Sequence, residues 1–213
     1  MSEIELYNVD CMNYLATCED NAFELAIVDP PYGLNIANMN MGVGKGPKCS
    51  KTKNRKWRPK KWDTHTPKAS YFSELLRVSN NCLIWGGNYF PLPPTKHFIV
   101  WYKKMTPGLT FADCEYCWTT YDKAPRMYRS SVHGIKEKIH PTQKPVDLYE
   151  WILMNYAKEG DRIIDTHLGS GSIAIACHNL GYTLVGCELD PDYYAAACKR
   201  LKQHQAQQRL FTA

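Results

Sequence analysis

The chain has 213 residues, which is enough for one sizeable α/β core but short for two full domains, so its length predicts a single domain over residues 1–213. Hydrophobic residues (44%) and charged residues (22%) occur in the proportions of a globular protein, which excludes wholesale disorder, and no apolar run approaches the roughly 20 residues that cross a bilayer. The formal net charge is +5, but nine Lys or Arg residues lie between Lys45 and Lys61, so the rest of the chain is net negative and the basic segment predicts a polyanionic partner.

The N-terminus and the cysteines both indicate a cytoplasmic protein without a membrane segment. Residues 1–5 lack the basic start and the apolar stretch of a signal peptide. The nine cysteines are irregularly spaced and several lie inside apolar runs, as buried, reduced thiols do. Cys114 and Cys117 form a CxxC pair, but no second pair follows at the spacing of a zinc site, so we interpret them as strand residues and predict no metal.

Apolar runs bounded by turn residues predict seven strands, and helix-spaced apolar residues predict four helices. In chain order, the strands are residues 5–9, 25–29, 82–86, 98–102, 116–120, 162–166 and 184–189. The helices are residues 71–78, 146–157, 172–180 and 192–208. Strands that alternate with helices in this way predict a largely parallel sheet with helices on both faces. Residues 33–68 fit neither period, and long loops of this kind are usually functional.

The sequence Asp29-Pro30-Pro31-Tyr32 directly follows the apolar run 25–28. The two prolines stop the strand and stiffen the backbone, which fixes the Asp29 carboxylate and the Pro30 carbonyl. Two such acceptors suit an exocyclic amino group, because they favour a pyramidal nitrogen whose lone pair can attack a methyl sulfonium in line. Tyr32 would supply an aromatic face for the base, a contact worth roughly 1–3 kcal/mol. The alternative is a strand-ending proline turn with an incidental Asp and Tyr.

A second site is predicted where the apolar strand ending at Asp165 runs into a Gly-rich turn and then an apolar helix. Gly169 and Gly171 would let the backbone approach a ligand, and the helix N-terminus offers free N–H groups. Glu188 ends the next strand, 23 residues after Asp165, near the interval of about 20 at which an acid binds ribose hydroxyls. The lack of a complete G-x-G-x-x-G argues against NAD and fits an adenosyl cofactor without a pyrophosphate.

These motifs resemble those of one family. Asp29-Pro30-Pro31-Tyr32 resembles the DPPY catalytic motif of amino-methyltransferases, and residues 165–172 resemble their cofactor motif, usually D-P-F-x-G-S-G-T. Residues 138–145 resemble the segment before the cofactor motif in the beta group of DNA amino-methyltransferases, the N6-adenine and N4-cytosine DNA methylases, and the motif order is the same. The resemblance implies a circularly permuted, Rossmann-like class I S-adenosylmethionine-methyltransferase fold. This α/β fold has a seven-stranded, mostly parallel sheet of order 3-2-1-4-5-7-6, with one antiparallel strand and helices on both faces. It would place the strand 5–9 at one edge of the sheet, beside the strand 184–189.

The resemblance also implies roles for individual residues. Asp29, Pro30, Pro31 and Tyr32 would be the catalytic residues that bind and activate the base. Contacts with S-adenosylmethionine would come from Asp10, Cys11, Thr142, Lys144, Asp165, His167, Gly169, Gly171, Ser172 and Glu188. Among these, Asp10 and Cys11 would lie beside the adenine, Glu188 at the ribose, and Thr142 and Lys144 near the methionine carboxylate. Thr166-His167 replaces the usual Pro-Phe and Val9 replaces Gly, which changes the packing beside the cofactor. His140 is expected to be a structural cap rather than a general base.

Residues 33–68 are expected to form an inserted basic loop that contacts DNA, and residues 103–138 are a candidate region for recognising the target sequence. The DNA-binding residues of the loop would be Lys53, Arg55, Lys56, Trp57, Arg58, Lys60 and Lys61. A base inside a duplex must be flipped out for its amino group to meet the cofactor. Trp57 or Trp62 would either fill the gap that the base leaves or pack back on the body, and the sequence leaves both alternatives open.

The sequence thus predicts a site-specific DNA adenine-N6 methyltransferase that transfers a methyl group in line from S-adenosylmethionine to a flipped-out base. Asp29 favours adenine, because relatives that act on cytosine more often have Ser at this position. A DNA cytosine-N4 methyltransferase and a catalytically inactive DNA-binding or partner subunit stay as alternatives, whereas the motif order disfavours an RNA enzyme. Double-stranded DNA is the expected partner, in a bacterium or phage. The resemblance is also compatible with two further partners, a second copy of the chain in a homodimer and a cognate restriction endonuclease.

Overall fold

The computed structural model describes residues 3–36, 59–104, 112–131 and 138–207. Eight strands lie in this part of the chain: β1 (Ile4–Tyr7), β2 (Phe23–Val28), β3 (Ser79–Trp85), β4 (Phe98–Tyr102), β5 (Cys114–Thr119), β6 (Arg126–Arg129), β7 (Arg162–Asp165) and β8 (Thr183–Cys187). Five α-helices accompany them: α1 (Cys11–Leu15), α2 (Ala69–Val78), α3 (Val146–Tyr156), α4 (Ser172–Leu180) and α5 (Pro191–Gln205). A short 3₁₀ helix covers Gly87–Tyr89.

The eight strands form one sheet in the order β1-β8-β7-β2-β3-β5-β4-β6. Within the described residues, β5 runs antiparallel to both of its neighbours and the other neighbouring pairs are parallel. β1 lies at one edge beside β8, with Ile4 opposite Leu184 and Tyr7 opposite Cys187. The sequence predicted this edge pairing and the mostly parallel sheet with one antiparallel strand, and the structure confirms both.

The prediction of seven strands was wrong, and the exact strand order therefore differs from the predicted one. β6 is the additional strand, and it pairs in parallel with β4 at the second edge of the sheet. Its four residues, Arg126–Arg129, are mostly exposed. A short, charged edge strand carries no apolar run, because it buries little side-chain surface. The other seven strands follow the predicted order.

The structure also contains a helix that the sequence did not reveal. α1 is only five residues long, and Asp10 caps it by accepting a hydrogen bond from the main-chain N–H of Met12 at 2.9 Å. The four predicted helices are all present, with ends that shift by up to three residues. α5, for example, begins at Pro191 behind the N-cap Asp190, whose side chain accepts from two N–H groups of the first turn.

Helices cover both faces of the sheet, as predicted. Side chains of β2 alternate between two hydrophobic cores: Leu25 and Ile27 face one, and Ala26 and Val28 face the other. The first core contains residues of α3, α4 and α5, and the second contains residues of α1 and α2. Because it is buried on both sides, β2 reads in the sequence as a continuous apolar run.

Four acids follow the carboxyl ends of the neighbouring parallel strands β1, β8, β7 and β2. In the order of these strands they are Asp10, Glu188, Asp165 and Asp29. From β7 the chain continues through α4 on one face of the sheet, and from β2 it continues towards α2 on the other face. Ligands of open α/β sheets bind where the connections diverge in this way.

Cys114 and Cys117 both lie in β5, which confirms their interpretation as strand residues. Within the described ranges, no group of three or more His, Cys, Asp or Glu side chains could hold a metal ion. In the same part of the chain, none of the helices is long and apolar enough to cross a membrane.

Candidate active site

The turn after β7 is shaped by two glycines in left-handed backbone conformations. The φ angles are +52° at Gly169 and +67° at Gly171, values that residues with a side chain rarely adopt. A Cβ atom on Gly171 would lie 3.1 Å from the Cβ of Ala197, so this glycine also lets α5 approach the turn. The two glycines therefore let the main chain turn tightly between Asp165 and the first turn of α4.

Asp165, the last residue of β7, is a nearly inaccessible carboxylic acid. It is 1% exposed, and its Oδ1 accepts a hydrogen bond from the main-chain N–H of His167 at 3.0 Å. Burial raises the pKa of Asp165 to about 8, and the negative charges of Asp29 and Glu188 add to this effect, while the hydrogen bond opposes it. The chain thus keeps an acid where an uncharged residue would be less costly, as functional sites often do.

Glu188 follows β8 and organises the neighbouring loop. Its two carboxylate oxygens accept hydrogen bonds from the main-chain N–H groups of Gly169 at 2.8 Å and of Asp190 at 2.9 Å. Burial raises the pKa of Glu188, whereas these two hydrogen bonds lower it. Glu188 therefore joins the Gly-rich turn to the N-terminus of α5, and the remaining lone pairs of its oxygens can accept further hydrogen bonds.

A cavity of about 220 Å³ lies among these strand ends. Its walls include Cys11 and Met12 from α1, Pro31 from the catalytic motif, Tyr71 from α2, and His167 from the Gly-rich turn. These residues come from the two predicted halves of the site. The cavity is smaller than the roughly 300–1,000 Å³ of a whole ligand site, so it suits one part of a ligand, such as a single base.

Thr166 and His167, which depart from the family pattern, form a buried hydrogen-bonded group with Tyr71. The hydroxyl oxygens of Tyr71 and Thr166 are 2.6 Å apart, and the Thr166 hydroxyl is 3.0 Å from Nδ1 of His167. Burial lowers the pKa of His167 to about 4, so its ring is neutral at neutral pH. The two replacements are therefore complementary, because Thr166 supplies the hydroxyl that contacts both rings.

Asp29 and Tyr32, in the predicted catalytic motif, are fixed by contacts with each other and with Gly86 and Tyr89. The Tyr32 hydroxyl donates to Oδ1 of Asp29 at 2.6 Å, and the Tyr32 ring stacks on Tyr89 with 4.8 Å between the ring centroids. Gly86, at a φ of +71°, lies so close to Tyr32 that a Cβ atom on it would be 2.1 Å from the ring. A glycine is therefore required at this position for Tyr32 to reach Asp29.

Lys144 lies beside the catalytic motif. Its Nζ is 2.5 Å from Oδ2 of Asp29 and 3.0 Å from Oε2 of Glu115. Lys103 extends the chain of charges, with its Nζ 2.7 Å from Oε1 of Glu115. The structure thus brings Lys144 together with Asp29, and the predicted contact of Lys144 with the cofactor stays a prediction.

The alternating charges of this cluster fix its protonation. Burial raises the pKa of Asp29, and Glu115 adds to this effect, while Lys144 opposes it. Burial would also raise the pKa of Glu115, but Lys144 and Lys103 lower it to about 2. Burial would lower the pKa of Lys144, yet the charges of Asp29 and Glu115 raise it above its usual value. At neutral pH, Lys144 is therefore an ammonium ion shared by two carboxyl groups.

Two further predicted cofactor residues, Ser172 and Thr142, contact the protein itself. The Ser172 hydroxyl donates to the main-chain carbonyl of Lys144 at 2.7 Å and accepts from Nη1 of Arg200 at 2.9 Å. The Thr142 hydroxyl is 3.1 Å from Nδ1 of His140. The Ser172 side chain thus connects α4 to residues 138–145, whereas the Thr142 contact lies within that segment, and the contact of both side chains with a cofactor stays a prediction.

His140 packs between two aromatic rings, with centroid distances of 4.9 Å to Trp62 and 4.3 Å to Tyr193. It is 8% exposed, and burial lowers its pKa to about 3. A neutral, enclosed imidazole supports the interpretation of His140 as a structural residue. The contact also shows that Trp62 packs back on the body, which was one of the two alternatives for this side chain.

The last residues of the basic segment are attached to the body. Nζ of Lys60 is 2.7 Å from Asp190 and 2.6 Å from Asp192, so its charge is satisfied within the chain, whereas Lys61 is exposed. Asp63 accepts hydrogen bonds from the main-chain N–H groups of Gly33 and Ile36, both at 2.9 Å, which ties the start of the segment to its end. The remaining predicted DNA-binding residues, Lys53, Arg55, Lys56, Trp57 and Arg58, lie outside the described residues.

Sequence reasoning missed Glu115 and Lys103, the outer members of the charge cluster. Glu115 lies within the segment 103–138 that we predicted to recognise the target, yet this segment also contributes β5 and β6 to the sheet. An acid inside an otherwise apolar strand was the available signal. It did not reveal a partner, because Lys144 is distant in the sequence.

Acids at neighbouring strand ends and a Gly-rich turn define an α/β protein that binds a nucleoside-type ligand at the switch point of its sheet. The model of a family described as DNA methylase, the N6/N4 methyltransferases, matches residues 89–199, which is more than half of the chain. The chain therefore belongs to the N6/N4 DNA methylase family. The family resemblance is confirmed, while the beta-group, DPPY-type assignment within it stays a prediction.

Individual relatives agree with this assignment. The type II methyltransferase M.HpaI of Haemophilus parainfluenzae is 24% identical over 233 aligned residues, which cover 88% of this chain and 70% of that protein. The M1.HpyAVI–SAM complex has a TM-score of 0.62 at 19% identity, covering 93% of this chain and 98% of that one. The PvuII DNA methyltransferase, described as cytosine-N4-specific, has a TM-score of 0.60 at 13% identity, covering 100% of this chain and 89% of that one. Both of these solved structures share the α/β fold of the present chain.

Proposed function

We propose that this chain is a site-specific DNA adenine-N6 methyltransferase that uses S-adenosylmethionine. The observation that carries the proposal is the placement of two acids with different tasks at adjacent strand ends. Asp165 ends β7 before the Gly-rich turn, and Asp29 follows β2, which pairs directly with β7. A cofactor bound at the turn and a base bound at Asp29 would therefore meet across two neighbouring strands, as transfer in a single step requires.

The residues present fit this cofactor. S-adenosylmethionine carries a positively charged sulfonium and supplies an electrophilic methyl group. A bound cation would lower the raised pKa of the buried acid Asp165 and so stabilise its carboxylate, and Glu188 has free lone pairs for ribose hydroxyls. The cavity between Cys11 and His167 has the size and the apolar and aromatic walls that suit an adenine.

The catalytic motif binds and activates the amino group of the base. Asp29 and the Pro30 carbonyl accept its two N–H donors, so that the nitrogen lone pair is directed towards the methyl group. Tyr32 stacks on the base, and Gly86 and Tyr89 keep its ring in place. No general base is needed before transfer, because the methylated nitrogen becomes acidic and then loses a proton.

The substrate is a base flipped out of double-stranded DNA, since the amino group inside a duplex is not in line with the cofactor. The basic segment that ends at Lys61 supplies the positive charge for the phosphates. Asp29 favours adenine as the target. Cytosine-N4 methylation is the second candidate, because the PvuII enzyme, described as cytosine-N4-specific, shares the fold.

Methylation of plasmid DNA by the purified chain with S-adenosylmethionine tests the proposal, with mass spectrometry of the digested DNA to identify the base. We expect N6-methyladenine, and N4-methylcytosine alone would reject adenine while leaving the mechanism intact. Cofactor and DNA binding without any methylated base would indicate the inactive alternative. Asp29→Ala should abolish turnover but keep DNA binding, whereas Glu159→Ala, at an exposed acid outside the site, should match the parent. Tyr32→Phe keeps the ring and should retain substantial activity, and Tyr32→Ala should lose target binding as well as rate.

A further inference from the structure

Glu115 lies outside every motif that the sequence revealed, yet only one side chain, that of Lys144, separates it from the catalytic acid. Its Oε2 is 3.0 Å from Nζ of Lys144, and this same Nζ is 2.5 Å from Oδ2 of Asp29. The side chain of Lys144 is 2% exposed, and those of Asp29 and Glu115 are 17% and 21% exposed. Glu115 and Asp29 therefore share one ammonium group that is almost inaccessible to water.

Two carboxylates fix the position of this ammonium better than one could. Lys144 has a flexible stem, and a single partner would leave its Nζ free to move around Oδ2 of Asp29. Glu115 is a second carboxylate at ion-pair distance from this Nζ, and it is itself held by Lys103, which lies 2.7 Å from its other oxygen. The register of the sheet supports this arrangement, because Glu115 on β5 pairs with Trp101 on β4, two residues before Lys103.

Asp29 is consequently held at both of its oxygens. Oδ2 binds Lys144, and Oδ1 accepts from the Tyr32 hydroxyl at 2.6 Å. Each carboxylate oxygen has a second lone pair, so both oxygens keep acceptor capacity for an amino group. The direction of these free lone pairs depends on the plane of the carboxylate, which the two contacts determine.

We propose that Glu115 is a positioning residue for methyl transfer: it holds Lys144 against Asp29, so that the carboxylate faces the amino group of the base. The inference rests on the proposed function, since Asp29 needs this orientation only if it binds an amino group. Glu115 does not touch the base. Its effect on the reaction therefore passes through Lys144.

The proposed role of Glu115 predicts the direction in which the pKa of Asp29, and with it the pH profile of methyl transfer, should change. The ionisable groups around Asp29 are Tyr32, Lys144, Glu115, Cys117, Tyr149 and Asp165. Among them, the negative charge of Glu115 raises the pKa of Asp29, whereas Lys144 lowers it. Glu115→Gln removes the first effect, and by the proposal it also releases Lys144, whose effect on Asp29 is the larger of the two, so Asp29 should titrate at a higher pH than in the parent.

The first experiment needs no activity and tests whether Glu115 and Lys144 are coupled. Urea unfolding is measured for the parent, Glu115→Gln, Lys144→Met and the double variant. Lys144→Met leaves two carboxylates without their shared partner, so it should lower the urea midpoint most. The double variant should unfold at a higher urea concentration than Lys144→Met, because it no longer contains the Glu115 carboxylate that had lost one of its two lysine partners. Strictly additive effects of the two substitutions would overturn the proposal.

The second experiment measures methyl transfer by Glu115→Gln across a range of pH. We expect kcat to fall about tenfold to a hundredfold, as misplaced catalytic groups do, with KM for DNA within about twofold of the parent. The acid limb of the pH profile should move to higher pH, and Glu159→Gln, the same substitution at an exposed acid outside the site, should behave as the parent. A folded Glu115→Gln protein with parental kcat, and with an acid limb that is unshifted or moved to lower pH, would overturn the proposal. A parent chain that transfers no methyl group would instead refute the proposed function, and the unfolding cycle would still report on the coupling.

Discussion

Replacing Asp165 by Asn is expected to stabilise the ligand-free protein while removing its affinity for the cofactor. Burial raises the pKa of Asp165 to about 8 in the folded chain, whereas a free Asp titrates near pH 4. Between these values the folded chain binds one more proton than the unfolded chain. The free energy of unfolding therefore falls as the pH rises from about 4 to about 8. Above pH 8, a pKa raised this far lowers the free energy of unfolding by roughly 5 kcal/mol. This value is an upper bound, because the surroundings of Asp165 relax.

The amide introduced by Asp165→Asn does not titrate, and its side-chain oxygen can still accept the hydrogen bond that Oδ1 now receives from His167 at 3.0 Å. The advantage of Asp165→Asn over the parent should therefore be small near pH 5 and should grow towards pH 8. Glu188→Gln is the matched comparison. Both oxygens of Glu188 accept from main-chain N–H groups, and an amide keeps only one acceptor, so this variant should lose about 1–3 kcal/mol of stability through the lost hydrogen bond.

Urea unfolding of the three proteins between pH 5 and pH 9, in the absence of cofactor, measures these differences. Calorimetry with S-adenosylmethionine should show weaker binding by both variants, because each changes an acid at the predicted cofactor site. If the stability difference between Asp165→Asn and the parent stays constant from pH 5 to pH 9, Asp165 is not the titrating group and the reasoning from burial is wrong.

Two further predictions concern charge. Neutralising Lys53, Arg55, Lys56 and Arg58 together should weaken binding to every DNA sequence and reduce the log–log salt slope by about 0.9 for each lost phosphate contact. Neutralising the exposed Lys158, Lys199 and Lys202 is the control, and an unchanged slope in the first variant would show that the segment does not contact the backbone. His167 has its pKa lowered to about 4, so the parent should lose up to roughly 3 kcal/mol of stability as the pH falls from 6.5 to 4. His167→Phe should lose correspondingly less over this range in urea unfolding, and an equal loss in both proteins would contradict the assignment.

The elements that could be predicted from the sequence are those whose burial leaves a pattern. β2 was found because both of its faces are covered, and α2 because its buried residues recur with helical spacing. β6 and α1 were missed, since four mostly exposed residues and a five-residue helix carry too few apolar positions. The edge position of β1 followed from the family resemblance and not from periodicity.

The site was predictable where one segment carries a whole motif. Asp29 and Tyr32 are three residues apart, and local geometry joins them. The partner of Asp29 at its other oxygen, Lys144, comes from a distant part of the chain, and only the packing of the sheet brings the two together. For the same reason, the ion pair of Lys60 with Asp190 could not be predicted. All the basic residues of the segment that ends at Lys61 were therefore expected to be free to bind DNA.

Residues 138–145 connect the two halves of the site, and the contacts of Lys144 explain how. Its carbonyl accepts from Ser172 in the first turn of α4 at 2.7 Å, while its ammonium group binds Asp29. One residue thus links the Gly-rich turn through its main chain to the catalytic motif through its side chain. Arg200 anchors the same turn from α5, donating to the Ser170 carbonyl at 2.8 Å and to Ser172. In-line transfer depends on the separation of donor and acceptor to within about 1 Å. Ser172 and Asp29 are joined through Lys144 by one hydrogen bond and one ion pair. In the proposed reaction, this connection would hold the distance between the cofactor and the base more firmly than the packing of two independent loops.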